Sequence, residues 1–252
     1  MILTFDIGNT RTNIGLYKDS LVKKFWILSK DLEDGLEEVL SENIPDVKIT
    51  GAVIGSVVKG FEDKITAVLR KIYGIETVII SFNSKLPIKL GVDYPEKLGV
   101  DRLINGAYAY NKFNQSVIVI DCGSAITLDV VNNEGKFLGG IIALGLKNQL
   151  QAISSYTSAL PELSLKNIET NIGKNTQEAI LSGVINGTAS MIDGMIEKCS
   201  KEFLNGLSNK PKIILTGGDA GFIQSYLKTK IDIVDENFTL NGLKYLYSLN
   251  CT

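Results

Sequence analysis

The sequence contains no histidine. That absence excludes Ser-His-Asp and Cys-His nucleophilic mechanisms and the His-Glu-x-x-His zinc pattern, so any general base must be Asp, Glu, Lys or Tyr. Cysteine is scarce. Cys122, Cys199 and Cys251 are odd in number, far apart and without a Cys-x-x-Cys pair, which supports neither a disulfide framework nor a structural zinc site and fits a reducing cytoplasm. No uninterrupted apolar stretch is long enough to span a bilayer, and the opening Met-Ile-Leu-Thr-Phe-Asp lacks the basic segment of a signal peptide. The expectation is a cytoplasmic protein with no membrane partner. A net charge of -2 without a long basic run gives no electrostatic reason to expect nucleic acid. Two nucleotide motifs are also missing. No two glycines are separated by a single residue, which excludes the Rossmann fingerprint, and Gly173-Lys174-Asn175-Thr176 lacks the glycine five residues earlier that a P-loop needs.

What is present begins at Asp6. An apolar run reaches that carboxylate and breaks at Gly8-Asn9-Thr10 before Arg11-Thr12-Asn13 opens a second alternating run, which reads as strand, tight turn and strand. Gly8 lets the backbone approach a ligand, Asn9, Thr10 and Thr12 add short donors for phosphate oxygens, and Asp6 faces the accompanying cation. Magnesium suits such a site, because it keeps most of its waters and takes one or two carboxylates plus phosphate oxygens. An ordinary hairpin is the alternative for one such turn alone. A second copy weighs against it. Val117 to Val130 repeats the pattern, with Asp121, Gly123 and Thr127 matching Asp6, Gly8 and Thr12, and Ser124 following the glycine. This duplication predicts two similar domains, residues 1–114 and 115–252, with a nucleotide in the cleft between them.

Between the two copies, the spacing predicts a strand over 21–28, a helix from Asp31, a buried strand over 49–58, an amphipathic helix over 61–73 and a strand over 77–81. That alternation is an α/β layer pattern. Asp101 and Arg102 then follow Gly99-Val100 at the start of a helix over 101–110, where the dipole favours a carboxylate. Asp101 as a helix cap and Arg102 as a surface charge is one reading. The other, strengthened by the lack of histidine, makes Asp101 the acceptor of a substrate hydroxyl proton and Arg102 a bidentate clamp on a substrate carboxylate. Further on, 136–145 reads as a strand ending in glycines. Residues 175–203 read as one long helix or two abutting ones, whose Gly183, Gly187 and Gly194 imply either close packing of another helix, from a second subunit among the candidates, or a crowded core. Lys212 to Leu215 is a buried strand before the nucleotide-type turn Thr216-Gly217-Gly218-Asp219-Ala220, and 238–249 is an amphipathic helix.

Taken together, D-x-G-N-T at Asp6 to Thr10, G-x-D-R at Gly99 to Arg102 with Tyr94 upstream, D-x-G-x-A-x-T at Asp121 to Thr127, G-G-I-x-x-x-G at Gly139 to Gly145, Asn175-Thr176 and T-G-G-D-A resemble the type III pantothenate kinases over nearly the full length. The resemblance implies the acetate and sugar kinase, Hsp70 and actin superfamily: an α/β fold of duplicated ribonuclease-H-like domains, and a homodimer. It implies that Asp6, Ile7, Gly8, Asn9, Thr10, Arg11, Thr12, Asn13 and Ser124 bind ATP with its Mg2+. Asp101 is then the general base for pantothenate, and Tyr94, Gly99, Val100, Arg102 and Thr176 line its site. Asp121 is then the ligand of a monovalent cation, K+ or NH4+. Two positions depart from the family pattern: Ser124 replaces threonine, retaining a hydroxyl, and Leu144 replaces a proline of the glycine-rich segment. Rival readings are an ATP-driven binding protein of the actin and Hsp70 type, a two-metal nuclease using Asp6, Asp121 and Asp129, and a kinase of another small hydroxyl compound.

Overall fold

The structure, a computed structural model, describes residues 1–44, 46–203 and 210–251. It divides into two compact units, Met1–Lys112 with Asn237–Thr252, and Phe113–Glu236.

In the first unit, β1 (Ile2–Ile7), β2 (Arg11–Tyr17) and β3 (Leu21–Leu28) form an antiparallel meander. Strand β4 (Gly51–Ser56) pairs parallel with β1, and β5 (Thr77–Ile79) parallel with β4, giving the order β3-β2-β1-β4-β5. Successive strand residues point to opposite faces. Leu3, Phe5, Ile7, Ile14, Phe25 and Ile27 therefore meet Leu36 and Leu40 of α1 (Leu32–Asn43) and Ile65 and Leu69 of α2 (Phe61–Tyr73) in one buried cluster. Helix α2 stops at Gly74, whose φ of 65° is the left-handed cap that a residue with a Cβ resists. After the short strand β6 (Lys89–Leu90) comes α3 (Val100–Phe113).

The second unit repeats the plan. Strands β7 (Val117–Cys122), β8 (Ala125–Val131) and β9 (Lys136–Leu144) form an antiparallel meander. Helices α4 (Leu146–Tyr156) and α5 (Thr176–Phe203) follow, then β10 (Lys212–Thr216), α6 (Ala220–Ile223) and β11 (Ile233–Val234). β10 is parallel to β7 and β11 parallel to β10, so these strands run β11-β10-β7-β8-β9, the first unit's order read from the other side. A meander whose first strand is extended by two parallel strands is the ribonuclease-H-like arrangement, present twice. Helix α5 is one continuous element of 28 residues. Its length and apolarity alone would suit a bilayer, yet it buries Leu181, Val184, Ile185, Ala189, Ile192 and Ile196 among the strands of its unit, as a core helix does. Its glycines are not part of that core: nothing lies within 4 Å of where a Cβ would stand at Gly183, Gly187 or Gly194. The crowded-core reading of these glycines is therefore overturned.

The last helix, α7 (Phe238–Asn250), belongs to the first unit, which corrects the single domain boundary expected at 114/115. It lies with α3 on the sheet face opposite α1 and α2. Gly51 admits the Tyr247 ring, Gly242 admits Ile104 and Tyr108, Tyr17 donates its hydroxyl hydrogen to Asn241 Oδ1 (2.8 Å), and Thr239 donates to Asn105 Oδ1 (2.9 Å). Leu240, Leu243 and Leu246 are buried there, each worth about 1.5–3 kcal/mol of transfer free energy.

Candidate active site

Strand alternation sends Asp6 to the α3 side of the first sheet. Its cross-strand partner is Asn13, whose Nδ2 donates to Asp6 Oδ2 at 3.1 Å, and its neighbour on β4 is Gly55, which has no side chain to occupy the space. The start of α3 uses that space: a Cβ on Gly55 would stand 2.6 Å from Ile104 Cδ1 and 3.4 Å from Val100 Cγ1. Asp101, beside Val100 in the first turn of α3, is thereby brought close enough to Asp6 for their charges to interact. Burial, and then the Asp101 charge, push the Asp6 carboxyl up to about 6, against the Asn13 hydrogen bond and the Lys24 ammonium. Burial likewise raises Asp101 above its ordinary value, against the Arg102 N–H, which donates to Asp101 Oδ1 at 2.8 Å, and the Arg102 guanidinium. Asp101 folds back over Gly99, where a Cβ would stand 2.6 Å from its Oδ1. Gly99 is thus a vacancy made for the carboxylate. Two carboxylates raised by burial, Asp6 also by the Asp101 charge, mark a site suited to a cation or to proton transfer.

The remaining candidates of this unit divide by face. Asn9 and Thr10 are exposed in the turn, and Arg11 lays its guanidinium over the Trp26 ring, 4.3 Å from the centroid. Gly8 uses its own N–H to close the turn on the Arg11 carbonyl (3.0 Å), so that N–H is committed within the hairpin. Ile7 and Thr12 lie on the opposite face, buried, with the Thr12 hydroxyl 3.2 Å from Ser29 Oγ. The expected phosphate-donor role of the Thr12 side chain is corrected by this placement. The cause is register. Asp6 pairs with Asn13 but Asp121 pairs with Thr127, so the first turn is one residue longer and a one-residue offset turns a side chain to the other face. Asn13, and not Thr12, is the counterpart of Thr127. Tyr94 precedes the short helical turn Pro95–Lys97, is 61 % exposed, and has the Lys97 ammonium 4.5 Å from its ring centroid.

In the second unit, Asp121 is the penultimate residue of β7 and Ser124 sits in the following turn, which Gly123 closes by donating its N–H to the Ala125 carbonyl (2.9 Å). The Ser124 carbonyl accepts from the Gly145 N–H (3.0 Å) and from Asn148 Nδ2 (2.9 Å), while the Cys122 carbonyl accepts from the Asp219 N–H (2.9 Å). The T-G-G-D-A segment thus packs on the hairpin, with Gly217 at a φ of 93° against Asp121 and the Cys122 backbone. Asp219 is buried and paired with Lys147. Burial, Asp121 and Asp219 push the Cys122 thiol up to about 12, which makes it unreactive. Leu144 ends β9 with its carbonyl held by Gln149 Nε2 at 2.7 Å. Thr176 opens α5 behind Asn175, which caps the helix by accepting the Glu178 N–H (3.0 Å), while the Glu178 carboxylate accepts the Lys174 N–H (2.8 Å). It faces a cavity of about 710 Å³ lined also by Gln149, Ile153, Ile180 and Gly183.

Sequence reading missed α4 together with its Lys147, Asn148 and Gln149, although Leu146, Leu150 and Ile153 carry the helical spacing that signals it. It also missed Ser29 and Trp26, for which no local signal exists. Among the described residues no three His, Cys, Asp or Glu side chains gather into a metal site, so the two-metal nuclease reading has no ligand set. A magnesium ion held mainly by phosphates asks less of the protein, and Asp6 fits as its carboxylate.

The model of the type III pantothenate kinase family matches residues 2–198. Over 98 % of both chains, the sequence is 35 % identical to the type III pantothenate kinase of Persephonella marina, and it is 33 % identical to that of Finegoldia magna over 99 % of this chain and 98 % of the relative. Among solved structures, a conserved Baf family protein from Campylobacter jejuni is similar with a TM-score of 0.61 at 22 % identity, over 99 % of this chain and 98 % of that one. The activator of 2-hydroxyisocaproyl-CoA dehydratase from Clostridium difficile, with bound ADPNP, is similar with a TM-score of 0.51 at 14 % identity, over 98 % and 94 %. These structural likenesses concern the fold, and the sequence matches go further: the chain belongs to the type III pantothenate kinase family.

Proposed function

We infer that this protein transfers the γ-phosphoryl group of ATP to the primary hydroxyl of pantothenate, giving 4'-phosphopantothenate in the first step of coenzyme A biosynthesis. The observation that carries the chemical assignment is the meeting of Asp101 and Asp6 at the first turn of α3. In this reading Asp101 takes the hydroxyl proton as the oxygen attacks the γ-phosphorus in line, and Arg102 holds the pantothenate carboxylate through two parallel N–H bonds. Tyr94, Gly99, Val100 and Thr176 complete the pantothenate contacts. ATP is held by the segment from Asp6 to Asn13, with Ile7 and Thr12 contributing backbone only, and by Ser124. Magnesium, when bound, neutralises phosphate charge, and Asp6 is its protein ligand. Positioning and charge neutralisation supply most of the rate in such transfers.

Two further assignments belong to the same reading. Asp121 is the ligand of a monovalent cation, K+ or NH4+, and what supports it is a neighbourhood of hard oxygen donors, with Asp219 close by and no soft ligand in its ionised form. The molecule is a homodimer, and the open glycine face of α5 supports a second copy seated there. The deciding experiment is ADP release from Mg-ATP with and without pantothenate, in potassium and then in sodium buffer. Release that requires both pantothenate and potassium upholds the substrate and the cation together. Release indifferent to pantothenate would redirect the substrate assignment to another small alcohol.

A further inference from the structure

Ser29 follows β3 and begins a single turn of 3-10 helix, Ser29–Asp31. Only 3 % of it is exposed, and it touches the first hairpin at three points. Its N–H donates to the Thr10 carbonyl (3.0 Å), its hydroxyl donates to the Gly8 carbonyl (2.6 Å), and its Oγ lies 3.2 Å from Thr12 Oγ1. One side chain therefore reaches the segment Gly8–Asn9–Thr10 that joins β1 to β2. The Gly8 carbonyl shares a planar peptide unit with the Asn9 N–H, and the two point in opposite directions. Drawing that oxygen inward to a buried hydroxyl turns the Asn9 N–H outward. The hydrogen bond to a buried hydroxyl also favours this peptide orientation over the flipped one, since a flip breaks the 2.6 Å bond and turns the Asn9 N–H inward.

We propose that Ser29 is a positioning residue for the nucleotide, locking the Gly8–Asn9 peptide so that the Asn9 N–H is presented to the phosphates of ATP. The proposal rests on the reading that the Asp6 to Asn13 segment binds ATP. Ser29 touches no substrate itself; it acts through the peptide plane. Ser29→Ala deletes one oxygen and leaves the backbone bond to Thr10, so the fold of the unit is retained while the peptide is released.

The test is calorimetric titration of the full-length enzyme with β,γ-imido-ATP and magnesium, for wild type, Ser29→Ala and Ser29→Thr, with kinetics alongside. The expected result is about tenfold weaker nucleotide binding in Ser29→Ala, a matching rise in KM for ATP, and kcat and KM for pantothenate within about twofold of wild type. Ser29→Thr, which keeps the hydroxyl, is expected to restore nucleotide binding to within about threefold. Unchanged nucleotide affinity in Ser29→Ala would overturn the proposal, and so would an equal loss for ATP and pantothenate or an equal loss in the alanine and threonine variants. The titration does not need turnover. A wild type that binds the analogue but ignores pantothenate refutes the substrate assignment alone, whereas a wild type that fails to bind the analogue refutes the nucleotide reading and this proposal with it.

Discussion

Asp6 and its cross-strand partner Asn13 stand one position further apart in sequence than Asp121 and Thr127, and the two hairpins absorb that difference in unlike ways. Behind the longer first turn, the Gly8 and Thr10 carbonyls are held by a single residue, Ser29. Behind the shorter second turn, the Cys122 and Ser124 carbonyls are held by backbone N–H groups of Asp219 and Gly145 with help from Asn148. One residue, through its hydroxyl and its N–H, does in the first hairpin what two backbone N–H groups and an amide side chain do in the second. The tolerances differ accordingly. A Cβ on Gly8 would meet only the Arg11 carbonyl, at 3.1 Å, while a Cβ on Gly145 would run into the Gly123 and Ser124 carbonyls with no room to yield. The duplicated hairpins thus have their turn carbonyls held by different residues.

The largest effect is expected where the first unit has no counterpart in the second, at Asp101. Asp101→Asn should lower kcat by about 100-fold or more while substrate binding is retained, measured by steady-state kinetics and titration; near-normal turnover would refute the general-base role. The same variant has a pH signature. Because burial raises the Asp101 carboxyl in the folded state, the native protein binds a proton that the unfolded chain has released, and stability falls as pH rises between the ordinary carboxylate value and the raised one. Asp101→Asn should therefore melt higher than wild type at pH 7, with the gain vanishing below the ordinary carboxylate range. Kinetically, the acid limb of kcat/KM should lie above 3.8.

Next in size, Gly145→Ala should cost about 1–3 kcal/mol of stability through backbone overpacking, and raise KM for ATP, in thermal melts and kinetics. Gly8→Ala should cost less on both counts, and equal losses would break the asymmetry between the hairpins. Smallest, Asn148→Ala removes one of two donors to the Ser124 carbonyl while the Gly145 N–H remains. It should change stability by about 0.5–1.5 kcal/mol and KM for ATP by about threefold or less.

Local pattern made much of this legible. The strand over 21–28 and the helix over 61–73 match β3 and α2, because alternation, helical spacing and the glycine after Tyr73 are all local signals. Asp101 is recognisable from its motif, but its approach to Asp6 depends on the empty position at Gly55, a neighbour two strands and one helix away in the chain. Counting residues from the aspartate aligns Thr12 with Thr127 and misses its face, because it ignores which pair closes the turn. Helix α7 was read as amphipathic, yet an apolar face does not name its partner. Ser29 gave no signal at all, since its contacts follow from the pairing of Arg11 with Leu28.

The return of α7 makes the first unit discontinuous, with the whole of Phe113–Glu236 set between its parts. On a ribosome, the unit that carries Asp6 and Asp101 is begun first and finished last. Until residues from 237 onward emerge, the hydrogen bonds of Tyr17 to Asn241 and of Thr239 to Asn105 are not made, while the second unit already has its complete sequence. A chain cut short before α7 has every residue of the first hairpin and Asp101, but not the helix that packs on the sheet carrying them.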